Sequence, residues 1–271
     1  MTHSDTENAA WTGLALVTGA SSGIGLELAR QFAKHGYDLV IAAEDDGIET
    51  VAPELRTAGE RSVQVEAVRA DLATPEGIQR LVTCVGDRPL VAAALNAGIG
   101  AGGSFTENDL AAELRLIDLN VKSTVALAKP LLRDMVAREE GRMLITSSIA
   151  STLPGSYHAV YNASKSFLQS FAEALQDELK DSPVTVTSLM PGPTDTQFFR
   201  RAGMEDTRVG QSDSKDDPAE VARQGFEAMM AGRDRVVAES LMTKAQELAN
   251  KVVPDKLKAA AHRKMAEPKG G

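Results

Sequence analysis

Short apolar runs alternate with longer amphipathic stretches along most of the chain. The apolar runs are rich in Val, Leu, Ile and Thr and are bounded by Gly, Pro or charged residues, which is typical of strands. The stretches between them carry apolar residues at three- and four-residue spacing, which indicates helices. The pattern predicts strands at residues 14–18, 38–42, 63–69, 90–95, 142–146, 184–190 and 235–238, and helices that include 24–35, 75–85, 110–138 and 161–180.

Continuously apolar strands separated by helices predict a parallel sheet that is buried on both faces. We therefore expect an α/β fold, a Rossmann-type doubly wound domain with a mostly parallel seven-stranded sheet, over residues 1–240. Residues 241–252 and 255–265 show two further helical patterns separated by Pro254. They predict a helical C-terminal extension of the same domain, residues 241–271, which packs on the domain or on a second subunit.

Composition narrows the classes of function. Acidic residues outnumber basic ones by 38 to 29 in the 271-residue chain, giving a formal charge of −9. This charge disfavours a nucleic-acid partner and an anionic membrane surface. The single cysteine, Cys84, excludes an internal disulfide or a cysteine-based zinc site, and we interpret it as an apolar filler in a protein from a reducing compartment.

Two further sequence observations concern metals and location. The four histidines are scattered without ligand spacing, so we expect no metal site. The first ten residues are polar and lack the pattern of a secretory leader. Apolar runs stay well below the roughly 20 residues of a membrane helix. The sequence therefore predicts a soluble, cytoplasmic protein.

A glycine-rich turn follows the first predicted strand and leads into a helical pattern. Such a turn lets the backbone approach a pyrophosphate, and it directs free N–H groups and the helix N-terminus towards the phosphates. We therefore expect a dinucleotide to bind here. The predicted phosphate-binding residues are Gly19, Ser21, Ser22, Gly23, Ile24 and Gly25.

Acidic residues at the end of the second predicted strand bear on the choice of cofactor. Glu44 lies 19 residues after Gly25, where a carboxylate can accept hydrogen bonds from the adenosine ribose hydroxyls. A ribose 2′-phosphate would meet this carboxylate, and Ser22 stands where a basic residue would favour that phosphate. The sequence therefore favours NAD over NADP. The alternative is that Glu44 points to solvent and that Arg56 or Arg69 reaches into the site.

A tyrosine and a lysine four residues apart, Tyr161 and Lys165, share one face of a predicted helix. A nearby cation lowers the pKa of a phenol from its usual value of about 10, so the phenol becomes a usable general acid and base. Ser147 and Ser148 follow the strand at 142–146, at the edge where open α/β sheets bind ligands. A serine there could hold a substrate carbonyl oxygen, and the 13-residue offset to the tyrosine favours Ser148 over Ser147.

Further motifs fall at the ends of predicted strands, in an order and spacing that are highly specific when taken together. The full set is Thr18-Gly-Ala-Ser-Ser-Gly-Ile-Gly25, Asp71-Leu72, Asn96-Ala-Gly98, Asn120, Ser148, Tyr161-x-x-x-Lys165 and Pro191-Gly192. With these motifs, residues 14–238 resemble the short-chain dehydrogenase/reductase family in its compact single-domain form. One departure is Leu95, where the family usually has a second asparagine, and Asn96 keeps the backbone-stabilising role.

The resemblance implies a nicotinamide-dependent interconversion of a ketone or aldehyde and an alcohol. It assigns Tyr161 as the general acid and base and Ser148 as the group that polarises and orients the carbonyl oxygen. It further implies that Lys165 binds the nicotinamide ribose and lowers the pKa of Tyr161, and that Asn120 holds a water in a proton relay. The hydride chemistry itself belongs to the cofactor.

The resemblance also implies where the remaining parts of NAD or NADP bind. Asp71 and Leu72 meet the adenine, residues 96–98 flank the adenosine ribose, and the loop after the sixth strand meets the nicotinamide carboxamide. The cofactor residues expected beyond the phosphate turn are Glu44, Asp71, Leu72, Asn96, Ala97, Gly98, Tyr161, Lys165, Pro191, Gly192, Thr194 and Thr196.

The substrate is expected to be a small-molecule carbonyl or alcohol whose identity the sequence does not give. Residues 193–217 carry Phe198, Phe199 and Met204 among polar neighbours, which suits a mobile lid over a partly apolar substrate. The opposite wall is expected from Thr152, Leu153, Pro154 and Tyr157. His158 is either a pocket residue or a packing residue.

The sequence also bears on the oligomeric state and leaves two alternative functions open. The family forms dimers and tetramers through helices that correspond here to 110–138 and 161–180, and we expect a homodimer or a homotetramer. One rival function is a membrane-associated reductase of lipid-like substrates that uses the C-terminal helices. The other is a dinucleotide-binding regulator without catalysis.

Overall fold

Seven strands form one parallel sheet. The computed structural model describes residues 13–208, 210–212, 215–238 and 263. The strands are β1 Leu14–Thr18, β2 Asp38–Ala43, β3 Val65–Arg69, β4 Leu90–Leu95, β5 Arg142–Thr146, β6 Thr185–Pro191 and β7 Arg235–Ala238. They lie in the order β3-β2-β1-β4-β5-β6-β7, and all six pairings are parallel. The predicted fold is confirmed. Four predicted strands match at both ends, and three differ by one or two residues.

Eight α-helices connect these strands within the described residues. They are α1 Gly23–Lys34, α2 Gly47–Arg56, α3 Pro75–Val85, α4 Leu110–Ile117, α5 Ser123–Ala137, α6 Ala159–Glu178, α7 Phe198–Arg201 and α8 Pro218–Met230. The sequence pattern predicted α3 at both ends and α1 and α6 with a shift of one or two residues, whereas it did not predict α2, α7 or α8.

The helix predicted at residues 110–138 is wrong as a single element. A π-helical turn, Asp118–Lys122, separates α4 from α5. The hydroxyl groups of Ser123 and Thr124 donate to the carbonyl oxygens four residues back, and such bonds compete with the regular helical ladder. The wide turn carries Asn120, and π-turns inside helices are frequent at functional sites.

Both faces of the sheet are covered by helices, as expected for a doubly wound domain. On one face, Val17 and Ile41 pack with Phe32 of α1 and Phe226 of α8. On the other face, side chains such as Leu16 belong to a second core shared with α3, α5 and α6. Because alternate strand residues point to opposite faces, the continuously apolar strands of the sequence serve both cores at once.

The winding direction of the chain reverses between β1 and β4. From β1 the sheet grows through β2 to β3 at one side, and from β4 it grows through β5 and β6 to β7 at the other. A crevice therefore opens at the carboxyl ends of these two central strands, which is where open α/β sheets bind ligands.

Several expectations concern features outside this crevice. The C-terminal extension lies outside the described residues, apart from Arg263. In the part of the chain that the structure describes, no helix is both long and apolar enough to cross a membrane.

Cys84 is half-buried, and burial together with the neighbouring carboxylate of Glu66 raises its pKa to about 11. The thiol is therefore protonated at neutral pH, in agreement with its interpretation as a filler.

Candidate active site

A cleft at the carboxyl ends of the strands brings most of the predicted site residues together. Every residue predicted to bind the cofactor lines this cleft, and so do Ser148, Tyr161 and Lys165. Asn120 does not line it and lies behind Ile99, at the back of the site. Residues that are far apart in the sequence therefore form one site, because most of them follow strands of the same sheet and α6 brings Tyr161 and Lys165 to the same edge.

The glycine turn has the backbone geometry that a phosphate site requires. Gly19 and Gly23 have φ values of +69° and +57°, in the left-handed region that side chains disfavour. A Cβ on Gly25 would lie 2.1 Å from the carbonyl oxygen of Gly19, so α1 packs directly on the turn. The turn therefore leaves its backbone accessible in front of the N-terminus of α1, which fits the pyrophosphate of a dinucleotide.

Asn96 links the central strands by hydrogen bonds at the floor of the cleft. Its backbone N–H donates to Oγ1 of Thr18 at 3.0 Å, and its amide nitrogen donates to the carbonyl oxygen of Thr18 at 3.2 Å. Its amide oxygen accepts a hydrogen bond of 3.1 Å from Thr146. The side chain thus joins β1, β4 and β5, whereas Leu95 is buried in the core below.

An arginine that the sequence analysis missed lies at the adenosine end of the cleft. Nη2 of Arg115, on α4, lies 2.6 Å from Oε2 of Glu44, and Nη1 lies 2.9 Å from Oδ2 of Asp71. Burial raises the pKa of Asp71, but hydrogen bonds from Arg115 and from the N–H of Ala73 outweigh this effect and leave the pKa lowered. Sequence alone could not point to Arg115, because it stands 71 residues from Glu44 on an otherwise ordinary helix.

The two arginines proposed as alternatives to Glu44 have other partners. Nη2 of Arg56 donates to the carbonyl oxygen of Val65 at the opposite end of β3, so this residue does not reach the cleft. Arg69 forms an ion pair with Asp46 and donates to the backbone oxygen of Glu44 at 3.3 Å. The Glu44 side chain is exposed but ion-paired with Arg115.

Ser148 and Tyr161 meet in the centre of the cleft. The Ser148 hydroxyl lies close enough to the Tyr161 phenol to lower its pKa. It donates to the carbonyl oxygen of Pro191 at 3.4 Å and accepts a 3.1 Å bond from the N–H of Ala150. The neighbouring Ser147 is buried, and its hydroxyl donates to the carbonyl oxygen of Lys165 at 3.0 Å. Ser147 therefore holds α6 against β5, and its place favours Ser148 as the serine that faces a substrate.

Lys165 and Asn120 lie behind the tyrosine. Nζ of Lys165 donates to the carbonyl oxygen of Thr146 at 2.9 Å and lies 5.9 Å from the centroid of the Tyr161 ring. Asn120 exchanges two hydrogen bonds of 2.9 Å with the backbone of Ile99. A Cβ on Gly98 would lie 3.2 Å from Oδ1 of Asn120 and 3.5 Å from Nζ of Lys165, so this glycine keeps the space between them open.

The pKa of the tyrosine differs from the sequence-based expectation. Burial raises the pKa of Tyr161 to about 12, although the hydrogen bond to Ser148 lowers it. Burial also lowers the pKa of Lys165 to about 8. The expected lowering of the Tyr161 pKa by Lys165 is therefore not found, because burial dominates the shift and Lys165 is not among its causes.

The substrate side of the cleft is mainly apolar. Phe198 packs beside Tyr161, with 5.3 Å between the two ring centroids, and Phe199 and Met204 line the same side. His158 is buried and lines the cleft, which answers the question left open by the sequence.

The predicted opposite wall is only partly correct. Leu153 lines the cleft, whereas Thr152, Pro154 and Tyr157 do not. The hydroxyl of Thr152 donates to the carbonyl oxygen of Ile149 and closes a 3₁₀ turn, which directs it away from the cleft. Tyr157 adopts a φ of 63°, unusual for a residue with a side chain, and this conformation redirects the chain before His158.

Comparison with known proteins agrees with this geometry. A family model described as short chain dehydrogenase matches residues 13–206. The chain belongs to the short-chain dehydrogenase family. It is therefore an oxidoreductase, and the resemblance stated from its motifs is confirmed.

Individual relatives extend over most of the chain. Oxidoreductase UcpA from Salmonella typhimurium is 32% identical over 213 residues, 76% of this chain and 76% of that protein. Dehydrogenase/reductase SDR family member 7B from Rattus norvegicus is 31% identical over 229 residues, 80% of this chain and 70% of that protein. A short-chain dehydrogenase from Sphingobium yanoikuyae, solved in complex with NADPH, is 25% identical with a TM-score of 0.78, covering 89% of this chain and 96% of that one.

Proposed function

We propose that this short-chain dehydrogenase interconverts a ketone or aldehyde and an alcohol, with NAD as its favoured cofactor and Tyr161 as its general acid and base. The observation that carries the proposal is that Ser148, Tyr161 and Lys165 line the same cleft as the glycine turn. A proton donor, a carbonyl-orienting hydroxyl and a dinucleotide site are thus adjacent.

The side chains divide the proton chemistry between them. When bound, the nicotinamide ring supplies or accepts the hydride at the substrate carbon. The Ser148 hydroxyl holds the substrate oxygen, and the Tyr161 phenol gives that oxygen a proton during reduction and removes it during oxidation. A phenol with a pKa of about 12 is protonated at neutral pH and is ready to act as the acid. Lys165 binds the nicotinamide ribose, and Asn120 keeps a proton path open beside Gly98.

The preference for NAD is supported by the carboxylates at the adenosine end. Glu44 directly follows the second strand and lines the cleft, and the next residue, Asp45, accepts a 2.8 Å hydrogen bond from the hydroxyl of Ser21. A carboxylate accepts hydrogen bonds from ribose hydroxyls but repels a 2′-phosphate. NADP is the alternative cofactor, and the bound NADPH of the Sphingobium yanoikuyae relative shows that the fold accommodates it there.

Replacing Glu44 with Arg is expected to shift the preference towards NADPH. Repulsion of the 2′-phosphate becomes attraction, so the ratio of the two dissociation constants changes by about a hundredfold. Fluorescence titrations with NADH and NADPH measure both dissociation constants and hence their ratio. Glu49→Arg, the same charge change on an exposed residue of α2 outside the cleft, serves as the control. An unchanged ratio in Glu44→Arg would show that Glu44 does not face the ribose.

The lining of the substrate side supports a partly apolar small molecule. Phe198, Phe199 and Met204 surround the approach to Tyr161, and His158 adds a polar group on the same side. A panel of aliphatic, aromatic and hydroxylated ketones and aldehydes, followed by loss of NADH absorbance, tests the reaction. We expect turnover with at least one apolar carbonyl compound. A chain that binds NADH but reduces none of the panel would contradict the proposed substrate class.

An exposed apolar face supports the proposal of a homodimer. Large apolar side chains lie exposed on α4, α5 and α6, namely Leu110, Leu114, Ile117, Val125, Val136 and Phe167. Exposed apolar side chains on neighbouring helices are typical of interaction sites, and two copies could cover them with a four-helix contact. A tetramer is the alternative assembly.

Replacing Phe167 with Asp is expected to convert the dimer into monomers. Phe167 is 43% exposed and stacks on Phe171, so its replacement places a carboxylate among the exposed apolar side chains of the proposed interface. Sedimentation velocity of the full chain measures the change. Thr57→Asp adds the same charge at the exposed end of α2 and should leave the assembly intact. If the wild type sediments as a monomer, the proposed dimer is wrong. If Phe167→Asp still sediments as a dimer, the proposed interface is wrong.

A further inference from the structure

Arg115 joins the two acidic side chains that line the adenosine end of the cleft. Its guanidinium lies 2.6 Å from Glu44 and 2.9 Å from Asp71, one nitrogen for each carboxylate. Glu44 follows β2 and Asp71 follows β3, so the arginine joins the segments after two strands to α4. A planar guanidinium that binds two carboxylates through separate nitrogens fixes both of their positions.

The location distinguishes this cluster from ordinary surface ion pairs. Elsewhere, Arg30 of α1 likewise contacts two carboxylates, Glu27 and Glu54, but none of these three residues lines the cleft. The side chains of both clusters are partly exposed, so neither is expected to contribute much to stability. The two partners of Arg115 both line the cleft, so their position bears directly on how the adenosine is held.

We propose that Arg115 is a positioning residue that determines cofactor specificity. It holds Glu44 and Asp71 in place for the adenosine of NAD. If Glu44 no longer binds the guanidinium, Arg115 would itself bind a 2′-phosphate. The proposal rests on the proposed use of a nicotinamide dinucleotide and deepens it. Glu44 thus disfavours NADPH in two ways. Its own charge repels the 2′-phosphate, and its ion pair with Arg115 keeps that guanidinium from neutralising the phosphate.

The charge arrangement leads to a specific coupling between the two residues. Neutralising Glu44 removes one of the two carboxylates of Arg115 and leaves one guanidinium nitrogen available to a phosphate oxygen. The arginine remains anchored by Asp71, and the N–H of Ala73 holds that carboxylate at 3.0 Å. The gain in NADPH affinity on neutralising Glu44 should therefore depend on Arg115.

A four-variant titration tests this coupling. The dissociation constants of NADH and NADPH are measured by fluorescence for wild type, Arg115→Met, Glu44→Gln and the double variant Glu44→Gln/Arg115→Met. We expect Arg115→Met to weaken NADH binding about tenfold without improving NADPH. Glu44→Gln should improve NADPH binding about tenfold, and most of that gain should disappear in the double variant.

Two further variants separate positioning from folding. Arg115→Lys keeps a cation that can reach one carboxylate, so its NADH affinity should lie between those of wild type and Arg115→Met. Arg30→Met removes an arginine with two carboxylate partners outside the cleft, and it should bind both dinucleotides as wild type does. Melting temperatures of all variants show whether each is folded.

The outcomes separate this inference from the proposed function. If wild type prefers NADH while Arg115→Met binds both dinucleotides unchanged, or if the full NADPH gain persists in the double variant, the role of Arg115 is wrong and the proposed function stands. If wild type binds neither dinucleotide, the proposed function fails and the inference fails with it.

Discussion

Replacing Tyr161 with Phe is expected to lower kcat for carbonyl reduction by about a thousandfold while NADH affinity stays within about twofold. The change removes the hydroxyl that exchanges the proton with the substrate oxygen, and it leaves the ring in contact with Phe198. Cofactor binding persists because the glycine turn and the adenosine end are untouched. Steady-state rates with a responsive carbonyl compound, together with an NADH titration of the same preparation, measure both effects.

Tyr37→Phe is the matched control for this experiment. Tyr37 is buried between α1 and β2, outside the cleft, and its hydroxyl contacts the sulfur of Met230 at 3.4 Å. Losing that hydroxyl should leave kcat unchanged. Substantial residual activity in Tyr161→Phe would remove Tyr161 from the proton transfer and would leave Ser148 or a water as the acid.

Replacing Lys165 with Met is expected to impair both binding and turnover. The ammonium group is proposed to bind the nicotinamide ribose, so NADH affinity should fall about tenfold and kcat about a hundredfold. The wild type should show a related pH dependence. Burial lowers the pKa of Lys165 to about 8, so the group is charged below that pH and loses its proton as the pH rises through it. NADH affinity should therefore decrease above pH 8.

Lys165→Arg provides the control for the pH dependence. Its guanidinium stays charged over the whole range, so any affinity that remains should not fall above pH 8. Lys180→Met, at an exposed position just after α6, should leave both kcat and affinity unchanged. If Lys165→Met lowered kcat with full NADH affinity, the lysine would act on the tyrosine alone and would not bind the ribose.

The sequence was sufficient to predict the sheet and the site residues at its carboxyl edge. A buried parallel strand is continuously apolar over a few residues, and that local signal marks its ends closely. The residues that follow those strands then meet at one edge for a topological reason. Ser148, Tyr161 and Glu44 could therefore be placed in one cleft without knowledge of any side-chain contact.

Features that depend on long-range packing could not be predicted in this way. Arg115 acquires its role from carboxylates on two other elements, and no local pattern distinguishes it from a surface arginine. The π-turn around Asn120 interrupts a sequence with uninterrupted helical periodicity. The raised pKa of Tyr161 depends on how the folded chain surrounds the phenol at the wall of the cleft, whereas spacing alone suggested that Lys165 would lower it.

Titration of the purified full chain with NADH and NADPH tests the central claim most directly, because it needs no knowledge of the substrate. Enhancement of the fluorescence of the reduced nicotinamide reports binding in the cleft. The account predicts saturable binding of NADH, one molecule per chain, with an affinity for NADPH that is lower by about tenfold or more. Tighter binding of NADPH would contradict the role of Glu44 and would keep the catalytic proposal. If neither dinucleotide binds, the account of a hydride-transferring site in this cleft is wrong.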